Sequence, residues 1–212
     1  MVRPATYGFG STSVERRQLA TLDRPERIQA FLDGIPYSTD HFYRAPRSVL
    51  RDRRAHCFDG ALFAAAALWR AGFPPRVVDL RAVRDDDHVI AVFRRGRHLG
   101  AVAKSNMTGL RWREPIHRSL RELVLSYFDD YFSVEGRRTL RSYSRPLDLR
   151  SMPFDWTTCD ERLDEVADRL DALPHRALLT PAMVHRLVPV DRRSFDAGML
   201  GADDAGLYHP PR

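Results

Sequence analysis

The segment Cys57–Arg70 (CFDGALFAAAALWR) constrains the fold of this chain more than any other. It is rich in alanine and leucine, both strong helix formers. It is apolar nearly all round, so the pattern predicts a helix that must be buried. Gly72 is placed to end it, with Pro74 and Pro75 just beyond. The hydrophobic period then changes. Residues 76–83 (RVVDLRAV) and 88–93 (HVIAVF) read as strands separated by the polar turn Asp85-Asp86-Asp87. Residues 94–97 (RRGR) read as a hairpin turn in which Gly96 is free to take a positive φ, and residues 99–103 return as the third strand. The expected class is therefore α+β, a buried helix from the N-terminal half packed on an antiparallel sheet.

Weaker signals flank this core. Residues 1–13 are expected to be loosely ordered. Residues 24–33 read as a helix capped by Asp23 and closed by Gly34, with an apolar stripe of Ile28, Phe31 and Leu32. Residues 36–46 read as a loop. Residues 110–133 read as a connector and then a helix, in which Leu120, Leu123, Val124, Tyr127, Phe128 and Tyr131 recur at helical spacing as core. From Pro146 the chain reads as a helical C-terminal lobe, with helices over 160–170 and 181–192 and a last dozen residues that fray. The expected organisation is a core over 14–145 and a helical extension over 146–212.

Composition limits the function classes. No apolar run approaches the ~20 residues of a membrane span, and residues 1–10 lack a charged-then-apolar leader pattern. The expected location is cytoplasmic, with both cysteines, Cys57 and Cys159, as reduced thiols. The net charge is +6, and of the 34 basic residues only Lys104 is lysine. The arginines alternate with acids and come without zinc-finger spacing, RNA-binding aromatics or a phosphate-binding glycine loop. Nucleic acid is not an expected partner, and no cofactor or metal is called for.

The chemistry centres on Cys57. A helix start presents unpaired N–H groups and the positive end of a dipole, which favour a thiolate and can hold an oxyanion. Asp59, in the first turn, complements the same dipole, and His56 either caps the helix or touches substrate. A base is available in His88, at the head of a strand. If residues 94 and 97 face each other, His88 lies opposite about residue 103, and Ser105 or Asn106 just beyond could orient the ring. Strand parity favours Ser105 and hydrogen-bonding strength favours Asn106. Asn106 is taken as the third member, giving Cys57, His88 and Asn106 as nucleophile, base and orienter.

Residues 48–106 resemble the core of the transglutaminase-like superfamily. The resemblance rests on Ser48-Val49-Leu50 leading into Cys57, on the stretch from Leu68 to Val78 (LWRAGFPPRVV), and on Asp87-His88-Val89. Residues 111–132 and 141–144 also resemble bacterial members. The family pattern usually has an aromatic two residues after the histidine, where this chain has Ile90, a tryptophan opening the third strand, and an aspartate closing the triad; none of these stands here. The resemblance implies a papain-like thiol site acting on an acyl-bearing substrate (amide, ester or thioester) by hydrolysis or by transfer to an amine. Two alternatives stand beside it: a zinc site built from Cys57, His88 and one of Asp85–Asp87, and a non-catalytic binding module that keeps the fold.

Overall fold

The computed structural model describes residues 9–10 and 12–209. Among these, α1 (Ser13–Thr21), α2 (Pro25–Asp33) and α3 (Pro46–Asp52) precede the long helix α4 (Cys57–Arg70). Strands β1 (Arg76–Ala82), β2 (His88–Arg95), β3 (His98–Val102) and β4 (Arg113–His117) follow, then α5 (Leu120–Leu125), β5 (Leu140–Ser144) and β6 (Leu147–Asp148). The chain continues through α6 (Asp164–Asp171), β7 (His175–Ala177), α7 (Pro181–His185) and α8 (Arg192–Met199). The protein is α+β, with a seven-stranded sheet in the order β4-β3-β2-β1-β5-β7 and β6 also on β1. Every strand pairing in it is antiparallel.

α4 forms over the expected residues. It ends in a Schellman motif, with Phe73 N–H on the Leu68 carbonyl (2.9 Å), Gly72 N–H on that of Trp69 (3.1 Å), and Gly72 at φ +93°. Its small residues Ala61, Ala64, Ala65 and Ala67 are wholly buried, which lets the helix lie close on the sheet. Alternation along β2 then sorts the two faces. Val89, Ala91 and Phe93 pack with α4, whereas Ile90 and Val92 pack on the other face with Leu123, Val124, Tyr127 and Tyr131. The aromatic stripe over 120–131 is core, as expected, although it is split between α5 and a 3₁₀ turn at Phe128–Asp130.

Several expectations are corrected. The hairpin pairs Arg95 with His98, not 94 with 97, so the turn is the two residues Gly96 and Arg97, with Gly96 at φ +56°. α2 is not capped by Asp23, whose carboxylate pairs with Arg24 and Arg27 instead. The expectation of loose order over 1–13 fails in part, since Phe9 is buried edge-on against Phe63 and α1 begins at Ser13; residues 1–8 and 11 lie outside the described residues. The region after 145 is not a helical lobe alone, because β6 and β7 join the same sheet as the core strands. Among the described residues, no helix is long and apolar enough to cross a membrane.

β3 stops at Val102 for a physical reason. The Gln29 side-chain amide takes the place of a strand partner for Ala103, accepting its N–H (3.1 Å) and donating to its carbonyl (3.0 Å). The next residue, Lys104, runs under α2 and donates to the carbonyls of Leu32 (2.8 Å) and Ile35 (2.6 Å). Residues 103–104 are thus tied to α2 and lead the chain away from β2.

Candidate active site

Cys57 is the first residue of α4 and lines a cleft of about 530 Å3. His56 caps the helix: its Nδ1 accepts from Phe58 N–H (3.2 Å), while the Asp59 carboxylate reaches back to His56 N–H (3.5 Å) and also accepts from Arg44 N–H (2.8 Å). Of the two roles open to His56, the structure displays the capping one.

The Cys57 thiol donates to the Asp87 carbonyl at 3.8 Å, and the N–H groups of Val89 and Phe58 face the sulfur. The sulfur therefore rests against the backbone on either side of His88. The expectation of a lowered thiol pKa is overturned in this state. Burial, with Asp86 and Asp59 nearby, outweighs the N–H groups and pushes the Cys57 thiol up to about 12. The Cys57 N–H itself faces the phenol oxygen of Tyr37.

The His88 ring points to the face opposite α4, edge-on to Tyr127 and Tyr131 (centroids 6.3 and 6.4 Å). Its Nε2 lies 2.8 Å from the Leu110 carbonyl, an acceptor, so Nε2 carries the hydrogen. Nδ1 has no hydrogen-bond partner among the described residues, and neither ring nitrogen bonds the sulfur. Burial lowers the His88 pKa to about 4, so the ring is neutral. Cys57 and His88 nevertheless line one small cavity of about 60 Å3 at the end of β2, together with Tyr131 and Gly206.

Asn106 does not orient this ring. Both ends of its amide are engaged with Asp203, donating to its carbonyl and accepting from its N–H, each at 2.8 Å. The Ser105 hydroxyl accepts from Met107 N–H. The place intended for either side chain is filled by the Leu110 carbonyl. The pull of Gln29 and Lys104 on residues 103–104 is the cause. Sequence reasoning missed Leu110 because a backbone carbonyl has no residue-type signature. Arg113 fixes the segment that carries it, lying 3.9 Å over the Tyr127 ring and donating to the Gly109 carbonyl (2.8 Å) and Asp130 (3.0 Å).

On the cleft side, Asp79, Asp87 and Asp171 bring carboxylate oxygens within 4.8 Å of one another, close enough to hold a cation, and Arg81 already reaches all three at 3.4–3.9 Å. This grouping includes neither Cys57 nor His88. Asp79 also accepts from His175 Nε2 (2.8 Å). Cys159 donates to Glu161 (3.3 Å), outside the cleft lining.

The state of His88 gives a pH prediction. Unfolded, it takes a proton near 6.5, and folded only near 4, so acidification through this range favours the unfolded chain. His56 is lowered in the same way, to about 4, but its neighbour Asp59 is raised to about 7. Between pH 4 and 6.5 the folded pair holds one proton on Asp59 and the unfolded pair one on His56, so the two cancel. His88→Gln keeps a donor for the Leu110 carbonyl and cannot titrate. Between pH 7 and 4.5 the native protein should lose about 2 kcal/mol more stability than His88→Gln in urea unfolding. Parallel losses would show that His88 is not held neutral.

Fold and site together define an α+β protein with a cysteine at the head of a buried helix and a neutral histidine at the head of the strand beside it. No family model matches the chain, and no curated protein does. Among solved structures it is similar to Legionella pneumophila LapG, in an EGTA-treated form and in a second structure, each at 18% identity and TM-score 0.31. The match covers 46% of this chain and 54% or 55% of LapG, so the chain spans about half of LapG's length. No activity follows from a likeness of that extent.

Proposed function

We propose that this protein is a thiol-dependent acyl-transfer enzyme, with Cys57 as nucleophile and His88 Nδ1 as base. The observation that carries the proposal is the set of the imidazole. Its Nε2–H is fixed on the Leu110 carbonyl, its Nδ1 has no hydrogen-bond partner among the described residues, and His88 lines one small cavity with Cys57. This is the division of labour that a Cys-His-orienter site needs, with a carbonyl in place of an asparagine.

In the reaction, the Cys57 proton passes to Nδ1 as sulfur bonds the acyl carbon of an amide, ester or thioester. The imidazolium, stabilised by the Leu110 carbonyl, gives that proton to the leaving amine, alcohol or thiol. Water or an amine then takes the acyl group from sulfur and restores the thiol. The sulfur has to leave the Asp87 carbonyl for Nδ1 before the first step. The hydrogen bond to Asp87 in the resting state favours a second reading, a non-catalytic module that binds acyl or peptide ligands in the cleft.

A vinyl sulfone probe followed by peptide mapping separates the two. The expected adduct forms on Cys57, is absent from Cys57→Ala, and forms at least about tenfold more slowly in His88→Gln. Equal labelling of Cys57 and Cys159, indifferent to His88, would leave only the binding module.

A further inference from the structure

Residues 203–209 were expected to fray, but they lie across the site. Two contacts hold this segment, and a third holds the helix end before it. The C-terminal end of α8, just before it, offers the carbonyls of Ala197 and Gly198 to the Thr108 hydroxyl (2.8 and 3.2 Å). Asp203 is clasped by both ends of the Asn106 amide. Gly206 then rests on the Tyr37 ring so closely that a β-carbon there would stand 3.0 Å from the ring and 3.1 Å from Asn106 Nδ2. Beyond it, Leu207 and Tyr208 are half-buried and line both the cleft and the small cavity of Cys57 and His88.

This placement obstructs the chemistry in two ways. The shared cavity has space for a few waters and not for an acyl group with its substituents. The Cys57 N–H, a natural oxyanion donor, faces the phenol of Tyr37, the side chain on which Gly206 rests.

We propose that residues 203–209 form an intramolecular mask over the Cys57–His88 site, latched by Asn106 and seated on Tyr37, which must lift before an acyl group can enter the space that Cys57 shares with His88. The proposal assigns Asn106 to regulation instead of to the catalytic triad. Its importance rests on the acyl-transfer reading of Cys57, but the accessibility it describes can be measured without any substrate.

The test uses the full chain with Asn106→Ala, which removes both latch hydrogen bonds, and separately Gly206→Val, which crowds Tyr37. Iodoacetamide is added and modification of each cysteine is followed by mass spectrometry. In both variants Cys57 should be alkylated about tenfold faster than in the native protein, with the Cys159 rate unchanged. An unchanged Cys57 rate overturns the mask. So does an equal rise at both cysteines, which marks general loosening. If Cys57 is unmasked in this way and the vinyl sulfone reaction remains indifferent to His88, the mask stands and the acyl-transfer reading falls.

Discussion

A single methyl group added at Gly60 should destabilise the protein by about 2 kcal/mol, although alanine is the better helix former. Gly60 lies in the first turns of α4, where a β-carbon would stand 2.3 Å from the Lys104 β-carbon and 3.2 Å from its Cγ. Helix propensity alone would make Gly60→Ala stabilising by about 1 kcal/mol. The clash opposes it with the cost of overpacking, about 3 kcal/mol where neighbours cannot yield. Lys104 cannot yield readily, because its ammonium is fixed on the Leu32 and Ile35 carbonyls and the preceding residue is held by Gln29. The melting temperature should fall by about 4–8 °C for a chain of this size, and further for Gly60→Val. A Gly60→Ala protein more stable than the native one would mean that α4 and residue 104 do not approach so closely. Any displacement of α4 also moves Cys57, three residues ahead, relative to β2.

His88→Gln should lower turnover of any acyl substrate by about 10²–10⁴-fold while the protein remains folded at neutral pH. Glutamine can still donate to the Leu110 carbonyl, so what is lost is the proton acceptor. The variant should therefore lose kcat with little change in KM. An equal loss in Asn106→Ala would restore the asparagine to the chemistry. The mask predicts the opposite, that Asn106→Ala turns over at least as fast as the native protein. His88→Gln at native turnover would remove the base from the mechanism.

What could be read from the sequence was local. The boundaries of α4 follow from its alanine and leucine run and from Gly72, and the hairpin from Gly96. The alternating faces of β2 were equally open to inspection, since His88 shares parity with Ile90 and Val92. That parity turns the imidazole to the face away from α4, a separation that the pairing of a helix start with a strand start does not reveal. The hairpin register slipped by two because RRGR allows more than one turn. The acceptor on the His88 ring could not be read at all. It depends on Gln29 capturing Ala103 across 74 residues of sequence and on a carbonyl at Leu110, and neither leaves a local pattern. The placement of residues 203–209 was hidden likewise, since Gly, Ala and Asp there suit a frayed end as well as a segment fitted against Tyr37.

Lys104 has a consequence of another kind. It is the only lysine in the chain, and its side chain is 6% exposed beneath α2. Amine-directed chemistry, whether acylating reagents or enzymes that modify lysine, finds no reactive side-chain amine on the folded surface, however arginine-rich that surface is. The ammonium becomes available when its hold on the Leu32 and Ile35 carbonyls opens. Its acylation rate is thus a natural gauge of that opening, and it records how often the support beneath the Cys57 helix comes apart.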